Sequence, residues 1–218
     1  MSFAALLGKD LRRELRGKEA LQAGLVLVLT FLLLDLFTFQ DLSAEPRAAA
    51  LVLWTPLLYG TVAAGGRALA AEADRGTLEL LRSAPVPWLW HGLSRTIASA
   101  LLAGILLAVT LGAADLLFAV PVTGGLVITL AVAAVGLAIV GSLAGALAAP
   151  ARARETLLPV LAVPLLVPLL QAGLSATLDL LAGVPLADLR TPLLLMAGYD
   201  LILLGAAWLL WPVVLEGP

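Results

Sequence analysis

Few residues in this sequence have side chains that could carry out a reaction. The chain contains no cysteine and a single histidine, His91, so a thiolate nucleophile, a cysteine-ligated cluster and a histidine-rich metal site are excluded. It also lacks the His-Glu-x-x-His pattern of zinc proteases and the Gly-x-Ser-x-Gly pattern of serine hydrolases. We therefore expect no catalytic residue and no metal ligand, and an enzyme is the least favoured class of function.

Two polar residues stand deep inside long apolar runs, Asp200 and Gln171. An ionised carboxylate at the centre of a bilayer costs at least about 2.5 kcal/mol on insertion scales, so Asp200 must face protein or water. It is a candidate gating or coupling residue, and the alternative is a structural hydrogen bond to a neighbouring helix. Gln171 is the candidate partner for that hydrogen bond.

A charged stretch, residues 71–95, separates the second and third apolar runs. The preceding helix can run on to about Asp74 and stop at Gly76, and Thr77 can cap a short helix that ends before Pro85. A short two-faced helix below the membrane is suited to docking an external ATPase, whereas the alternative is a solvated basic loop. The predicted contact residues are Glu72, Asp74, Gly76, Thr77, Leu78, Glu79 and Leu81.

The candidate residues lie within or between long apolar runs, and these runs dominate the composition. Apolar residues make up 61% of the chain and charged residues 13%, with a mean hydropathy of +1.06, which is typical of a membrane protein. The 218 residues fit six helices of about 20 residues with short loops, without room for a nucleotide-binding domain. A net charge of -2 offers no basic surface for nucleic acid. We predict an all-α, polytopic integral membrane protein with spans at 20–39, 48–70, 96–120, 125–149, 156–178 and 192–212.

The distribution of basic residues predicts the orientation of these spans. With a cytoplasmic N-terminus, only Arg47 and Arg190 of the 13 basic residues fall outside, as the positive-inside rule favours. Both termini are then cytoplasmic, and the expected location is the bacterial inner membrane. The predicted organisation is an interfacial helix at 1–19, a six-span domain at 20–212 and a cytoplasmic tail at 213–218.

The N-terminal segment predicts an amphipathic interfacial helix, because Phe3, Leu7, Leu11 and Leu15 recur every fourth residue between basic side chains. The alternative is a simple topological anchor. Gly17 is expected to let the chain bend before it enters the bilayer.

Prolines and glycines modify two of the spans. Pro159, Pro164 and Pro168 predict a bent or broken fifth span, either as a hinge or as a fixed kink. Gly141 and Gly145 predict close helix packing in the fourth. His91 is expected to be an interfacial polar residue, and the tryptophans are expected to be interfacial anchors: Trp54, Trp88, Trp90, Trp208 and Trp211.

The charged stretch and four other segments resemble the ABC-2-type exporter permeases, and most of all the CcmB family. In the charged stretch the resemblance lies in Arg67, Glu72, Asp74, Gly76, Thr77, Leu78, Glu79, Leu81 and Pro85. The other segments are GKDLRRELRGKEAL at 8–21, LWTPLLYG at 53–60, LLPVLAVPLLVPLLQAG at 157–173 and the closing GYDLILLGAAWLLWPVVLE. The similarity extends over about residues 6–216.

This resemblance implies the permease subunit of an ABC transporter in cytochrome c maturation. The family's function is read either as haem export or as ATP-driven release of a haem-loaded chaperone, and the sequence leaves both open. The implied partners are a CcmA-like ATPase that hydrolyses ATP, CcmC-like and CcmD-like membrane subunits, a CcmE-like haem chaperone, membrane lipids and a second copy of the chain. No resident cofactor is expected, and haem is the expected substrate. The alternatives are an exporter for a drug, lipid or polysaccharide and a structural subunit that moves no solute.

Overall fold

The computed structural model describes residues 3–39, 45–74, 88–148 and 154–216. Within these ranges the chain is helical, with no strand. The helices are α1 (Phe3–Gly17), α2 (Glu19–Thr38), α3 (Pro46–Asp74), α4 (Trp88–Phe118), α5 (Gly124–Ala148), α6 (Arg154–Leu181) and α7 (Arg190–Glu216), with a short 3-10 helix at Leu186–Asp188.

Six of the described helices are long and apolar enough to span a membrane, as the sequence predicts. Each is a run in which apolar side chains are continuous over at least the length of the hydrocarbon core, so the backbone must satisfy its own polar groups as a helix. The predicted all-α fold with six spans is confirmed. The spans are Glu19–Thr38, Pro46–Arg67, Trp90–Phe118, Gly124–Leu147, Val160–Leu181 and Arg190–Leu210.

Short connections make successive spans run in opposite directions. The connections 119–123 and 182–189, the end of α2 and the start of α3 lie together at one end of the bundle, which we call the distal end. The other end, which we call the basal end, holds α1, the last turns of α3 and the first turns of α4. The positive-inside pattern predicts that the basal end is cytoplasmic.

The centre of the bundle is the contact between α3 and α5. A Cβ atom built on Gly65 would lie 2.8 Å from the carbonyl carbon of Gly141, whereas a Cβ on Gly141 would make ordinary contacts at 3.4 Å or more. The two backbones therefore approach each other closely because residue 65 is glycine. This confirms the predicted close packing at Gly141. On the other side of α3, Gly60 faces Gly24 of α2, where a Cβ on Gly24 would lie 3.0 Å from the Gly60 carbonyl oxygen.

Three connections contain a residue with a positive φ angle, at Lys18, Ala119 and Gly183. Lys18 between α1 and α2 has φ 55 and ψ -8, a left-handed conformation that costs a non-glycine residue roughly 1–2 kcal/mol. The predicted bend at Gly17 is therefore displaced by one residue, since Gly17 still belongs to α1. After α6, Gly183 has φ 89 and ends the helix without this penalty.

The proline-containing helix α6 is continuous from Arg154 to Leu181. Of the predicted bent or broken fifth span, the break is not formed, since Pro159, Pro164 and Pro168 all lie within one helix. The bend stays a prediction. A proline removes one donor to the carbonyl four residues before it, but the surrounding turns keep their own hydrogen bonds. The Tyr199 hydroxyl of α7 donates to the Leu165 carbonyl at 2.8 Å and ties the proline-rich turns to the neighbouring helix.

Candidate functional site

The predicted ATPase-contact residues lie where α3 leaves the bundle. α3 continues beyond its apolar span to Asp74, as the sequence predicts, so Glu72 and Asp74 belong to its last turn, although their side chains are not described. The other five predicted residues and the short helix expected there lie outside the described residues: Gly76, Thr77, Leu78, Glu79 and Leu81. Because α4 begins at Trp88, the segment joins two helices of the bundle at its basal end.

The N-terminal helix is attached to the start of α4 by a buried polar contact. The Ser94 hydroxyl donates to the Asp10 carboxylate, and the exposed fractions of these two residues are 0% and 5%. Lys9 adds an ion pair, with its Nζ 3.1 Å from Asp10 Oδ1. The Phe3 ring meets the Trp90 ring edge-on, with centroids 6.2 Å apart. α1 thus packs onto the helix that follows the predicted ATPase contact.

The buried face of α1 differs from the predicted apolar stripe. Among the α1 side chains that the structure describes, Leu6 and Asp10 are buried, whereas Phe3, Leu7 and Leu11 are only partly buried. The side chain of Leu15 is not described. The sequence gives little indication of this buried face, because its two residues are a leucine and, one turn away, an acidic residue. An acidic residue within a basic amphipathic helix is the feature that could have indicated a contact inside the protein.

Two ionisable side chains of α4 are buried close to this contact. His91 stands at the start of the α4 span, as expected for an interfacial residue, but its side chain is buried. Arg95 is 4% exposed and lies one turn further along. Both take part in interactions within the protein, so the basal end of α4 holds an unusual concentration of polar groups.

Asp200 lies near the middle of the α7 span and faces protein, as its cost in lipid requires. Its carboxylate abuts Gly136 of α5 so closely that a Cβ there would collide with Asp200 Oδ1. In the described part of the chain Oδ1 has no hydrogen-bond partner. The predicted pairing with Gln171 is therefore not formed through this atom. The candidate gating residue occupies a site that exists only because residue 136 is glycine.

Gln171 instead lines an open groove between α6 and α7, in the distal half of the bundle. The groove has a volume of about 770 Å³. From α6 it is lined by Pro168, Gln171, Ala172, Ser175 and Asp179, and from α7 by Thr191, Pro192, Leu194, Leu195, Gly198, Tyr199 and Ile202. Of the three predicted kink residues, Pro168 therefore faces the groove.

The interior side of α6 is occupied by Trp54 of α3. Its indole Nε1 donates to Thr177 Oγ1 at 3.0 Å, and its ring lies against Gly173, where a Cβ would overlap it. The prediction that Trp54 is an interfacial anchor is wrong, since only 3% of it is exposed. Trp208 is exposed near the basal end and fits the anchor role, and Trp90 packs on Phe3. The side chains of Trp88 and Trp211 lie outside the described part.

Comparison with known proteins shows which family this chain resembles over most of its length. The family model described as CcmB protein matches residues 1–210, a range that contains α1 and all six spans. The chain belongs to the CcmB family. Three CcmB relatives are each named heme exporter protein B. The one from Bradyrhizobium diazoefficiens is 27% identical over 185 residues, covering 84% of this chain and 83% of the relative.

The other two CcmB relatives extend the match over nearly the whole chain. The protein from Rhodobacter capsulatus is 28% identical over 199 residues, covering 89% of each chain. The protein from Paracoccus denitrificans is 29% identical over 211 residues, covering 93% of each chain. The CcmB resemblance predicted from the sequence is confirmed, and the chain is a multi-pass membrane protein of this family.

Proposed function

We propose that the chain is the permease subunit of an ABC transporter that acts in cytochrome c maturation, with haem as the substrate that the complex handles. The observation that carries the proposal is the CcmB match over residues 1–210, together with relatives named heme exporter protein B. The permease itself hydrolyses no ATP in this proposal, and a CcmA-like ATPase supplies the energy. CcmC-like and CcmD-like membrane subunits and a CcmE-like chaperone complete the complex.

In this proposal the ATPase binds the segment between α3 and α4, which includes Leu78 and Glu79. A separate ATPase drives a permease only through contacts that differ between its states. The fold supports this segment as the contact, because one of its flanking helices, α3, packs against α5 at the centre of the bundle. The other, α4, carries α1 through Asp10 and Ser94. A displacement of the segment therefore reaches both the centre and the N-terminal helix.

The basal end faces the cytoplasm of the inner membrane in this proposal. The charge pattern supports the orientation, since Arg47 and Arg190 are the basic residues at the distal end. Single-cysteine labelling from each side of the membrane checks it without background, because the chain has no native cysteine. Labelling of Glu79→Cys from the periplasmic side would show that the basal end is periplasmic.

The function is tested in cells that lack their own CcmB-family protein. We expect the wild-type chain, expressed with its partner subunits, to restore covalently bound haem in c-type cytochromes. Leu78→Asp and Glu79→Arg should reduce both the cytochrome yield and the ATPase that co-purifies with the chain. Leu116→Ala, at a side chain 84% exposed near the opposite end of α4, is the matched control.

Three outcomes would contradict the proposal. Restoration of cytochromes by the wild-type chain with unchanged ATPase recovery in both loop variants would refute the docking segment. No restoration by a well-expressed wild-type chain, with a different set of subunits bound to it, would indicate an exporter for another substrate. A chain that restores cytochromes without any ATPase would instead be a structural subunit.

A further inference from the structure

Gln171 is exposed at a depth where lipid offers no hydrogen bonds. It lies near the middle of the span Val160–Leu181, and its side chain is on the outside of the bundle. A primary amide has two N–H donors and one carbonyl acceptor. Leaving such a group unpaired in hydrocarbon is unfavourable, because no water is present to replace the lost hydrogen bonds.

Three other exposed polar side chains in the spans are satisfied by their own helix. Thr30 and Thr38 of α2 donate to the carbonyls of Val26 and Leu34, at 2.7 and 2.8 Å. Ser175 donates to the Ala172 carbonyl at 2.9 Å. These hydroxyls need no partner from outside, whereas no such bond is formed by the Gln171 amide within the described residues.

The groove beside Gln171 is long enough for a transmembrane helix to pack into it. Its α6 wall follows one helical face from Pro168 to Asp179, which is about 17 Å at 1.5 Å per residue. Its opposite wall on α7 includes Gly198, and Leu194 and Ile202 are exposed there. The groove therefore extends from the bilayer centre to the distal end, between two helices that both pack against α5.

We propose that this groove seats a transmembrane helix of a different membrane subunit, which presents a hydrogen-bonding side chain to Gln171 and a basic side chain to Asp179. This inference rests on the proposed function, because it requires the chain to work within a complex of membrane subunits. A helix with small residues at the contact fits between α6 and α7, as close packing in membranes favours.

Charge selects a different subunit over a second copy of the chain. Among the described residues that line the groove, Asp179 is the one charged residue. A two-fold dimer through this face would bring two Asp179 carboxylates to the same depth at the membrane boundary, where like charges repel. A basic side chain from another subunit would instead neutralise Asp179 and gain a charge-assisted hydrogen bond.

The proposal is tested by measuring whether the groove is covered when the complex assembles. Ser175→Cys carries a nitroxide label, and its accessibility to molecular oxygen is measured by EPR in lipid nanodiscs. We compare the chain alone with the complete complex purified from cells that express all partner subunits. Labelled Leu116→Cys in the isolated chain supplies the value for a lipid-exposed site, since Leu116 is 84% exposed.

Oxygen accessibility at residue 175 should match that reference in the isolated chain and fall severalfold in the complex. An unchanged value in the complex would overturn the proposal. Disulfide-linked dimers of the Ser175→Cys chain in the oxidised complex would also overturn it, by showing that a second copy occupies the groove.

A second variant tests the polar contact itself. Gln171→Leu should reduce the membrane subunits recovered with the chain severalfold and leave recovery of the ATPase unchanged, because the ATPase is held at the basal end. Val167→Ala, on an exposed position of α6 outside the groove lining, is the control. Failure of the proposed function would appear as absent cytochrome restoration, which neither accessibility nor subunit recovery measures. Wild-type recovery of membrane subunits with Gln171→Leu would refute the contact.

Discussion

The α3–α5 contact and the groove between α6 and α7 differ in how closely their two helices approach each other. Where Gly65 meets Gly141 the backbones leave no room for a Cβ on residue 65. Between α6 and α7 a space of about 770 Å³ stays open, and Gln171 faces outward beside it. The first contact is completed by the chain alone. The second borders two polar groups, Gln171 and Asp179, for which we propose partners from another membrane subunit.

The same contrast separates the two ends of the bundle. At the basal end the buried carboxylate of Asp10 has both a hydroxyl and an ammonium partner, Ser94 and Lys9. At the distal end of the groove Asp179 is exposed. The carboxylate of Asp10 is thus paired within the chain, whereas that of Asp179 is accessible to a partner.

The largest effect is expected at the closed α3–α5 contact. Gly65→Ala should lower the free energy of unfolding by about 1–3 kcal/mol, because the new Cβ meets backbone that cannot rotate away. Thermal unfolding in nanodiscs measures the change. Gly112→Ala of α4, which has open space around it, is the control and should leave stability equal or slightly higher. Equal melting temperatures for the two variants would mean that the α3–α5 contact is looser than described.

A smaller loss is expected where Asp200 meets α5. Gly136→Ala should destabilise by about 1–2 kcal/mol, since side chains can move more easily than backbone. If the collision with the carboxylate is the main cause, Asp200→Ala should remove part of this loss in the double variant. A double-mutant cycle measured by unfolding gives the coupling. Strict additivity would show that Leu169, the other close neighbour of Gly136, accounts for the effect.

Two hydroxyls on α6 should respond differently to removal. Thr177→Val should cost about 1 kcal/mol, because it leaves the buried Trp54 N–H without an acceptor. Ser175→Ala should change stability by less than about 0.5 kcal/mol, since its hydroxyl bonds only its own helix at an exposed position. Unfolding of both variants under the same conditions tests the difference between the two faces of α6. A larger loss for Ser175→Ala would invert that assignment.

The smallest effect is expected for Gln171 in the isolated chain. Gln171→Leu should keep the free energy of unfolding within about 0.5 kcal/mol of wild type or raise it, because the amide makes no contact that the chain itself uses. A loss comparable to that of Thr177→Val would place Gln171 within the permease's own packing. The groove between α6 and α7 would then be part of the chain's own packing, like the α3–α5 contact.

The sequence predicts the spans well because each apolar run has to form a helix long enough to cross the membrane. It also predicts the end of α3 at Asp74, since Gly76 follows. It does not predict the Asp10–Ser94 contact, which joins residues 84 positions apart. Burial of Trp54 depends on Gly173 and Thr177 in another helix, so its position near a span end indicated an anchor instead.

Pairing between polar residues was the least predictable part of the site. Asp200 and Gln171 are both polar at membrane depth, but one lies against Gly136 and the other lines the outer groove. Which face of a span is interior depends on its neighbours, and a uniformly apolar helix carries almost no periodic signal to reveal it.

The most direct measurement of the central claim is crosslinking of the ATPase to single positions at the two ends of the permease. In the complete complex, Glu79→Cys and Asp188→Cys each carry the same cysteine-specific photocrosslinker in an otherwise cysteine-free chain. If the basal end is the surface held by the ATPase, residue 79 crosslinks to that subunit and residue 188 does not. Crosslinking from residue 188 alone, or from neither position in a complex that retains its ATPase, would contradict the claim.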